Sequence, residues 1–174
     1  APCELVECGV DFENSERAAT VNGKTVRAAS LRAVDVLGPS GQTVTLGDEV
    51  GAKGVLVLLR HLGRPFCWTY ANAWSARKSE LDALGVSLTF VSIGDEEKLS
   101  TFLDLNPAVP RDRAFVDWSE SFDLYEAAGF GKIGDAKPET VDIKPPAFGW
   151  REWWAYLTNV AALAPIRNDK PMTG

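Results

Sequence analysis

Apolar runs alternate with segments of helical periodicity through the middle of the chain. Three runs rich in apolar and β-branched residues are predicted to be strands: residues 55–59, 86–93 and 114–117. Helices are predicted at about residues 67–84, 95–104 and 119–128. Because strands that alternate with helices are joined by right-handed crossovers, the pattern predicts an α/β fold: a central sheet with a parallel core and flanking helices.

For the first of these strands and the helix after it, the pattern predicts which residues are buried. Residues 55–59 are apolar at successive positions, which predicts an inner strand with both faces covered. The helix predicted after it ends at Gly85, and its apolar residues share one face that we expect to meet the core. That face consists of Tyr70, Ala71, Trp74, Leu81 and Leu84.

Two β-hairpins are predicted before the first inner strand. One turns at Asn22-Gly23, because Asn-Gly tolerates the positive φ angles of a tight turn. The other has its turn at residues 38–41, between short apolar and β-branched stretches, and a helical turn follows it at residues 47–50.

Cys67 lies where the strand at 55–59 passes through a loop into a helix. Unpaired amides and the positive end of the dipole at a helix N-terminus stabilise a thiolate, and cysteines in that setting commonly have a depressed pKa. Arg64 adds a cation three residues earlier, and His61 is a candidate hydrogen-bond donor, although a lone histidine after a strand is more often structural. The alternative for Cys67 is a small buried hydrophobic residue.

Composition excludes several functional classes. The net charge of −6, with no basic stripe, argues against nucleic acid, and no apolar run approaches the roughly 20 residues of a membrane span. Three cysteines cannot form a closed disulfide framework, and with one histidine a structural zinc site is not expected. The G-x-G-x-x-G match at residues 129–134 follows a predicted helix and precedes prolines, so we interpret it as a helix end and expect no cofactor.

A Trp-rich helix is predicted at residues 149–163. A stripe at helical spacing favours a core-facing helix, and it consists of Trp150, Trp153, Trp154, Leu157, Val160 and Ala161. Trp153 and Trp154 are neighbours, so one of them is expected to be partly exposed. An exposed indole at this helix, near Tyr156, suits a protein partner or a membrane interface.

Several segments match a known family in residues and spacing: Leu59-Arg60-His61, Cys67, residues 80–86, Val116-Asp117, residues 124–130 and residues 157–160. On these segments the chain resembles the AhpC/TSA-type peroxiredoxin-like family that includes prostamide/prostaglandin F synthase. Residues 144–150 look most like the members from plants and algae. The resemblance implies a thioredoxin-like fold over residues 31–166, with an N-terminal extension at 1–30 that contains a hairpin and a tail at 167–174. It also implies a chloroplast location.

Two departures from the family pattern bear on function. Arg64 stands where the first cysteine of the family's C-x-x-C motif is expected, so a dithiol cycle at this site is excluded. The family's C-terminal strand and hairpin have no counterpart before Gly174, so we expect either that the sequence omits a tail or that another segment covers the incomplete sheet edge.

Two functions follow as alternatives. The first is a one-cysteine thiol peroxidase or oxidoreductase that uses Cys67, Arg64 and His61 and needs no metal or cofactor. It is reduced by an external thiol, or by Cys3 or Cys8 only if the N-terminal segment folds back over the site. The second is a non-catalytic accessory subunit of a chloroplast thylakoid complex. Its partner would bind the helix around Trp150 to Tyr156 or the incomplete sheet edge.

Overall fold

A five-stranded mixed sheet with helices on both faces forms the centre of the molecule. The computed structural model describes residues 17–21, 23–130, 150 and 154. The strands are β1 (Ala18–Val21), β2 (Lys24–Arg27), β3 (Asp35–Leu37), β4 (Thr43–Thr45), β5 (Gly54–Leu59), β6 (Ser87–Ile93) and β7 (Ala114–Asp117). The helices are α1 (Ala28–Arg32), α2 (Leu46–Val50), α3 (Pro65–Ser75), α4 (Lys78–Ala83), α5 (Glu96–Leu105) and α6 (Asp123–Ala127).

The sheet has the strand order β4-β3-β7-β6-β5. Its core is parallel, because β6 pairs in parallel with both β5 and β7, while β3 runs antiparallel to β7 and β4. The α/β architecture, the parallel core and the three predicted strands are therefore confirmed. Both predicted hairpins are also present: β1 pairs with β2 around Gly23, which has a φ of 75°, and β3 pairs with β4.

The position of β5 differs from the prediction. Among the described residues β5 pairs with β6 alone and lies at one edge of the sheet, whereas an inner position was predicted for it. Both faces are nonetheless covered, since Val57 and Leu59 pack on one side and Leu56 and Leu58 on the other. Side chains alternate across a strand, so coverage on both faces accounts for the continuous apolar run even at an edge.

Two apolar clusters, one on each face, hold the helices against the sheet. Trp68 of α3 and Phe102 of α5 pack on one face, with their rings 6.2 Å apart in an edge-on arrangement. Leu46 of α2 and Tyr125 of α6 pack on the other. Consecutive residues of β6 supply both clusters, so this strand is buried through most of its length.

The helix predicted at residues 67–84 is two helices, and part of its predicted core face is wrong. α3 already begins at Pro65 and ends at Ser75, whose hydroxyl donates to the Ala71 carbonyl at 2.8 Å, a bond that tends to bend helices. Ala71 is buried, but Tyr70 is 49% exposed and Leu84 is 72% exposed. The polar stretch after Ser75 offers little apolar surface to hold a continuous helix on the core.

Of the other helices, α2 and α5 agree with the predicted positions, α6 begins later than predicted, and α1 was not predicted. α5 begins after Asp95, whose carboxylate accepts a hydrogen bond from the Lys98 amide at 2.9 Å. α6 begins at Asp123 rather than at residue 119, although the Ser119 hydroxyl accepts from the Asp123 amide at 2.8 Å. Gly129, with a φ of 83°, lies just past α6, as expected of a helix end; residues 131–134 of the glycine motif lie outside the described residues.

Trp150 and Trp154 are helical and exposed. Their side chains are 74% and 60% exposed, and their ring centroids lie 6.4 Å apart. A core-facing orientation is therefore wrong for these two residues, whereas the exposure predicted for one of the neighbouring pair is confirmed at Trp154. The rest of the Trp-rich helix and the tail lie outside the described residues. No helix in the described part of the chain is long and apolar enough to cross a membrane.

Candidate functional site

Cys67 is the third residue of α3, directly beyond the carboxyl end of β5. Pro65 occupies the first turn, and Arg64 is the N-cap residue with an extended backbone. The side chain of Arg64 does not hydrogen-bond the first turn, so the turn receives no cap from it. The loop between strand and helix is fixed by Trp68, whose indole nitrogen donates to the Leu62 carbonyl. These contacts hold Cys67 at the positive end of the longest described helix.

A pocket of about 440 Å³ opens beside Cys67. It is lined by Leu58, Leu59, Arg60, Arg64, Phe66, Cys67 and Tyr70. Cys67 itself is half-buried and also packs against the apolar cluster beneath α3. The thiol therefore belongs to the core on one side and borders an open, largely apolar pocket on the other.

Two of the three predicted site residues, Cys67 and Arg64, line this pocket, and His61 does not. Arg60, Phe66 and Tyr70 line it without having been predicted as site residues. Tyr70 lies three positions after Cys67, a spacing that places two side chains on the same side of a helix. This spacing could have identified Tyr70 as a pocket residue from the sequence.

The pocket carries positive charge without a matching carboxylate. Neither Arg60 nor Arg64 forms an ion pair with an acidic residue in the described part of the chain. Arg60 is exposed and Arg64 is half-buried. The two guanidinium groups are thus available to an anion or to a developing negative charge in the pocket.

His61 is held in its neutral form. Burial, followed by the positive charges of Arg64 and Arg60, lowers its pKa from 6.5 to about 4. Its Nδ1 atom is buried without a hydrogen-bond partner among the described residues. The predicted hydrogen bond from His61 to Cys67 is also not present there, so this histidine adds no positive charge to the site at neutral pH.

Tyr125 holds the end of β5, the strand that leads to the pocket. Its hydroxyl donates to the Leu59 carbonyl at 2.5 Å, with the Val91 carbonyl 3.2 Å away as a second acceptor. Burial, then the charge of Asp117 and the proximity of Cys67, raises the pKa of this phenol well above its ordinary value. Tyr125 therefore stays protonated and ties the end of β5 to α6.

Asp117 stabilises the turn between β7 and α6, the helix that carries Tyr125. Its buried carboxylate accepts from the Ser119 amide at 3.0 Å, from the Ser119 hydroxyl at 2.6 Å and from the Leu124 amide at 3.0 Å. The carboxylate caps the turn that leads into α6, where Phe122 adopts a left-handed backbone with a φ of 56°. These hydrogen bonds give Asp117 a structural role at the start of α6.

Comparison with known proteins leaves the family open. No protein-family model matches the chain, and no curated protein matches it. Among solved structures it is similar to the crystal structure of a hypothetical protein, SMc02350, from Sinorhizobium meliloti 1021, at 16% sequence identity and a TM-score of 0.42. That similarity covers 88% of this chain and 92% of the other. A likeness at this level identifies neither a family nor a function.

Proposed function

We propose that the protein is a one-cysteine thiol peroxidase of thioredoxin-like fold, with Cys67 as the reacting residue. The observation that carries the proposal is a half-buried thiol in the first turn of α3, bordering a pocket with two guanidinium groups that have no carboxylate partner among the described residues. The strand, loop and helix around Cys67 support the thioredoxin-like assignment, since β5, β6 and β7 form a parallel core beside an antiparallel β3.

The geometry suits attack of a thiolate on a peroxide. The amides at the start of α3 and the cations of Arg60 and Arg64 stabilise negative charge, first on sulfur and then on the departing oxygen. The product on the protein is a sulfenic acid at Cys67. Arg64 supplies charge where a second thiol would stand in a dithiol enzyme, so the cycle needs another thiol from outside this loop.

The test is oxidation of the reduced protein by hydrogen peroxide in the presence of dimedone, followed by peptide mass spectrometry. We expect a dimedone adduct at Cys67 and consumption of peroxide when dithiothreitol is supplied as the reductant. Cys67→Ser should lose both while keeping its fold, and Cys3→Ser is the matched control that keeps both. Peroxide consumption that survives in Cys67→Ser would overturn the proposal.

The second candidate is a non-catalytic accessory subunit, which the resemblance to plant and algal proteins would place at the chloroplast thylakoid. The exposed pair Trp150 and Trp154 favours it, because large exposed aromatic residues are enriched at interfaces. Light scattering across a concentration series checks self-association through this pair. A Trp150→Ser, Trp154→Ser variant that leaves the molar mass unchanged would argue against a role of the pair in self-assembly.

A further inference from the structure

The two arginines of the pocket differ in their partners from other arginines of the described chain. Arg77, Arg111 and Arg113 each form an ion pair with a carboxylate. Arg60 and Arg64 have no carboxylate partner among the described residues, and both line the same pocket. In a protein with a net charge of −6 this pocket is therefore a local site of positive charge.

The positive charges of Arg60 and Arg64 converge. Both guanidinium groups lower the pKa of His61, so both lie within electrostatic reach of one imidazole. His61 itself is neutral and offers the two cations no counter-charge. A phosphate monoester, which carries two negative charges and several acceptor oxygens, matches two guanidinium groups better than a single carboxylate does.

The rest of the pocket is apolar, and the pocket is larger than a bare anion needs. Its volume of about 440 Å³ lies in the range of sites that bind small organic molecules. Leu58 and Leu59 form part of the lining, and Tyr70 adds an aromatic ring that is half exposed. That ring packs edge-on against Trp74, with the centroids 6.3 Å apart, which restrains its orientation on α3. A restrained aromatic ring beside two cations suits a ligand that joins an aromatic group to its anion.

We propose that this pocket binds a small aromatic phosphate monoester. Arg60 and Arg64 bind the phosphate, and the aromatic ring of the ligand packs against Tyr70. Cys67 borders the same pocket, so the bound ligand covers the thiol and takes up the charge of the arginines. Occupancy of the pocket therefore slows the reactions of Cys67 with small electrophiles, the proposed reduction of peroxide included. Binding itself does not require that Cys67 react with peroxide.

The binding test uses the full chain at low salt, with phenyl phosphate as the probe and inorganic phosphate and phenol as its two halves. Phosphorus and proton NMR titrations give the dissociation constants. We expect phenyl phosphate to bind about tenfold more tightly than inorganic phosphate, because contacts of the ring add to the same ion pairs. Phenol should bind more weakly than phenyl phosphate, and added salt should weaken the binding of both phosphates.

Variants assign the two parts of the ligand to residues. The double variant Arg60→Gln, Arg64→Gln should weaken the binding of both phosphates at least about tenfold. Arg77→Gln, at the exposed turn after α3, is the matched control and should bind them as the wild type does. Tyr70→Ala should reduce the affinity for phenyl phosphate to that for inorganic phosphate, whereas Tyr70→Phe, which keeps the ring, should preserve the difference.

Alkylation of Cys67 is a second readout, and it involves no peroxide. Saturating phenyl phosphate should slow the modification of Cys67 by iodoacetamide several-fold, followed at that residue by peptide mass spectrometry. The double variant Arg60→Gln, Arg64→Gln should show no such protection at the same concentration of phenyl phosphate.

The outcomes separate this inference from the proposed function. Equal affinities for phenyl phosphate and inorganic phosphate, or binding that survives the loss of both arginines, would overturn the inference and leave the peroxidase proposal standing. Binding of phenyl phosphate without protection of Cys67 would place the ligand elsewhere and would also overturn it. Protection that depends on Arg60 and Arg64, in a protein that forms no dimedone adduct with peroxide, would support the inference and overturn the peroxidase.

Discussion

Two clusters of polar groups lie side by side at the carboxyl ends of the parallel strands, and they differ in almost every physical respect. Asp117 and Tyr125 are buried, and each has hydrogen-bond partners within the fold. Cys67, Arg60 and Arg64 border an open pocket, and neither arginine has a carboxylate partner in the described chain.

The difference separates support from reactivity. A buried polar group stabilises a fold only when its hydrogen bonds are made, so the saturated Asp117 and Tyr125 are best interpreted as a rigid backing for the site. A reacting group must instead be reachable and keep charge available for the transition state. Changes in the first cluster should therefore alter stability, and changes in the second should alter the chemistry of Cys67.

The largest effect on stability is expected from Asp117→Asn. The amide loses the charge and places its own N–H donors near the Ser119 and Leu124 amides, which should lower the free energy of unfolding by about 2–3 kcal/mol. Urea denaturation measures the change. Asp104→Asn is the matched control, since Asp104 is exposed and its ion pair among the described residues is with Arg111, and it should cost less than about 0.5 kcal/mol. Equal losses in the two variants would contradict the contrast between the clusters.

A smaller loss is expected from Tyr125→Phe. Removing the hydroxyl leaves the Leu59 carbonyl without this donor in a buried site, which should cost about 1–2 kcal/mol of unfolding free energy. Tyr70→Phe provides the comparison, because the hydroxyl of Tyr70 has no hydrogen bond within the described chain and its side chain is half exposed. That control should change stability by less than about 0.5 kcal/mol; a loss as large as that of Tyr125→Phe would refute the supporting role.

The pH dependence of stability should carry the signature of His61. Its pKa is about 4 in the folded protein and 6.5 in the unfolded chain, so the unfolded chain binds the extra proton between those values. Protonation of His61 therefore leaves the free energy of unfolding unchanged above pH 6.5 and lowers it as the pH falls toward 4. The loss is about 1 kcal/mol once solvent screening of the half-buried ring is included. Since the chain has one histidine, proton NMR of its ring follows the titration directly. A midpoint near 6.5 in the folded protein would contradict this assignment.

The smallest effect is expected at the charge of the pocket. Arg64→Gln should slow alkylation of Cys67 by iodoacetamide about two- to fivefold, the rate equivalent of about 0.5–1 kcal/mol for a partly exposed cation beside a thiolate. Arg77→Gln, at the exposed turn between α3 and α4, is the control and should leave the rate unchanged. The difference should shrink at high salt. If both variants react at the wild-type rate, Arg64 does not assist the thiolate.

Local patterns predicted most of the fold, and pairings between distant segments account for what they missed. The strands β5, β6 and β7 follow from apolar runs, and the placement of Cys67 and Arg64 follows from a strand that leads directly into a helix. The edge position of β5 depends on which strands pair, which no local run encodes. Likewise the hydrogen bond from Tyr125 to Leu59 joins residues 66 positions apart, so no local spacing in the sequence predicts it.

Exposure was predicted less well than secondary structure. Tyr70 has the spacing of a core residue, yet it lines the pocket. In the described chain β5 is the last strand on this side of the sheet, so no further strand lies beside it to cover Tyr70. Trp150 has core spacing as well and is exposed. In both cases helical periodicity identifies a shared face but does not say whether anything covers it.

The most direct test of the central claim is the second-order rate constant for oxidation of Cys67 by hydrogen peroxide, measured in a Cys3→Ser, Cys8→Ser background in the folded protein and again in urea. If α3 and the arginines activate the thiol, the folded protein should react at least about tenfold faster than the unfolded chain, a barrier lower by about 1.4 kcal/mol. An equal or slower rate in the folded protein would show that the pocket does not activate Cys67 toward peroxide, and the peroxidase proposal would fall.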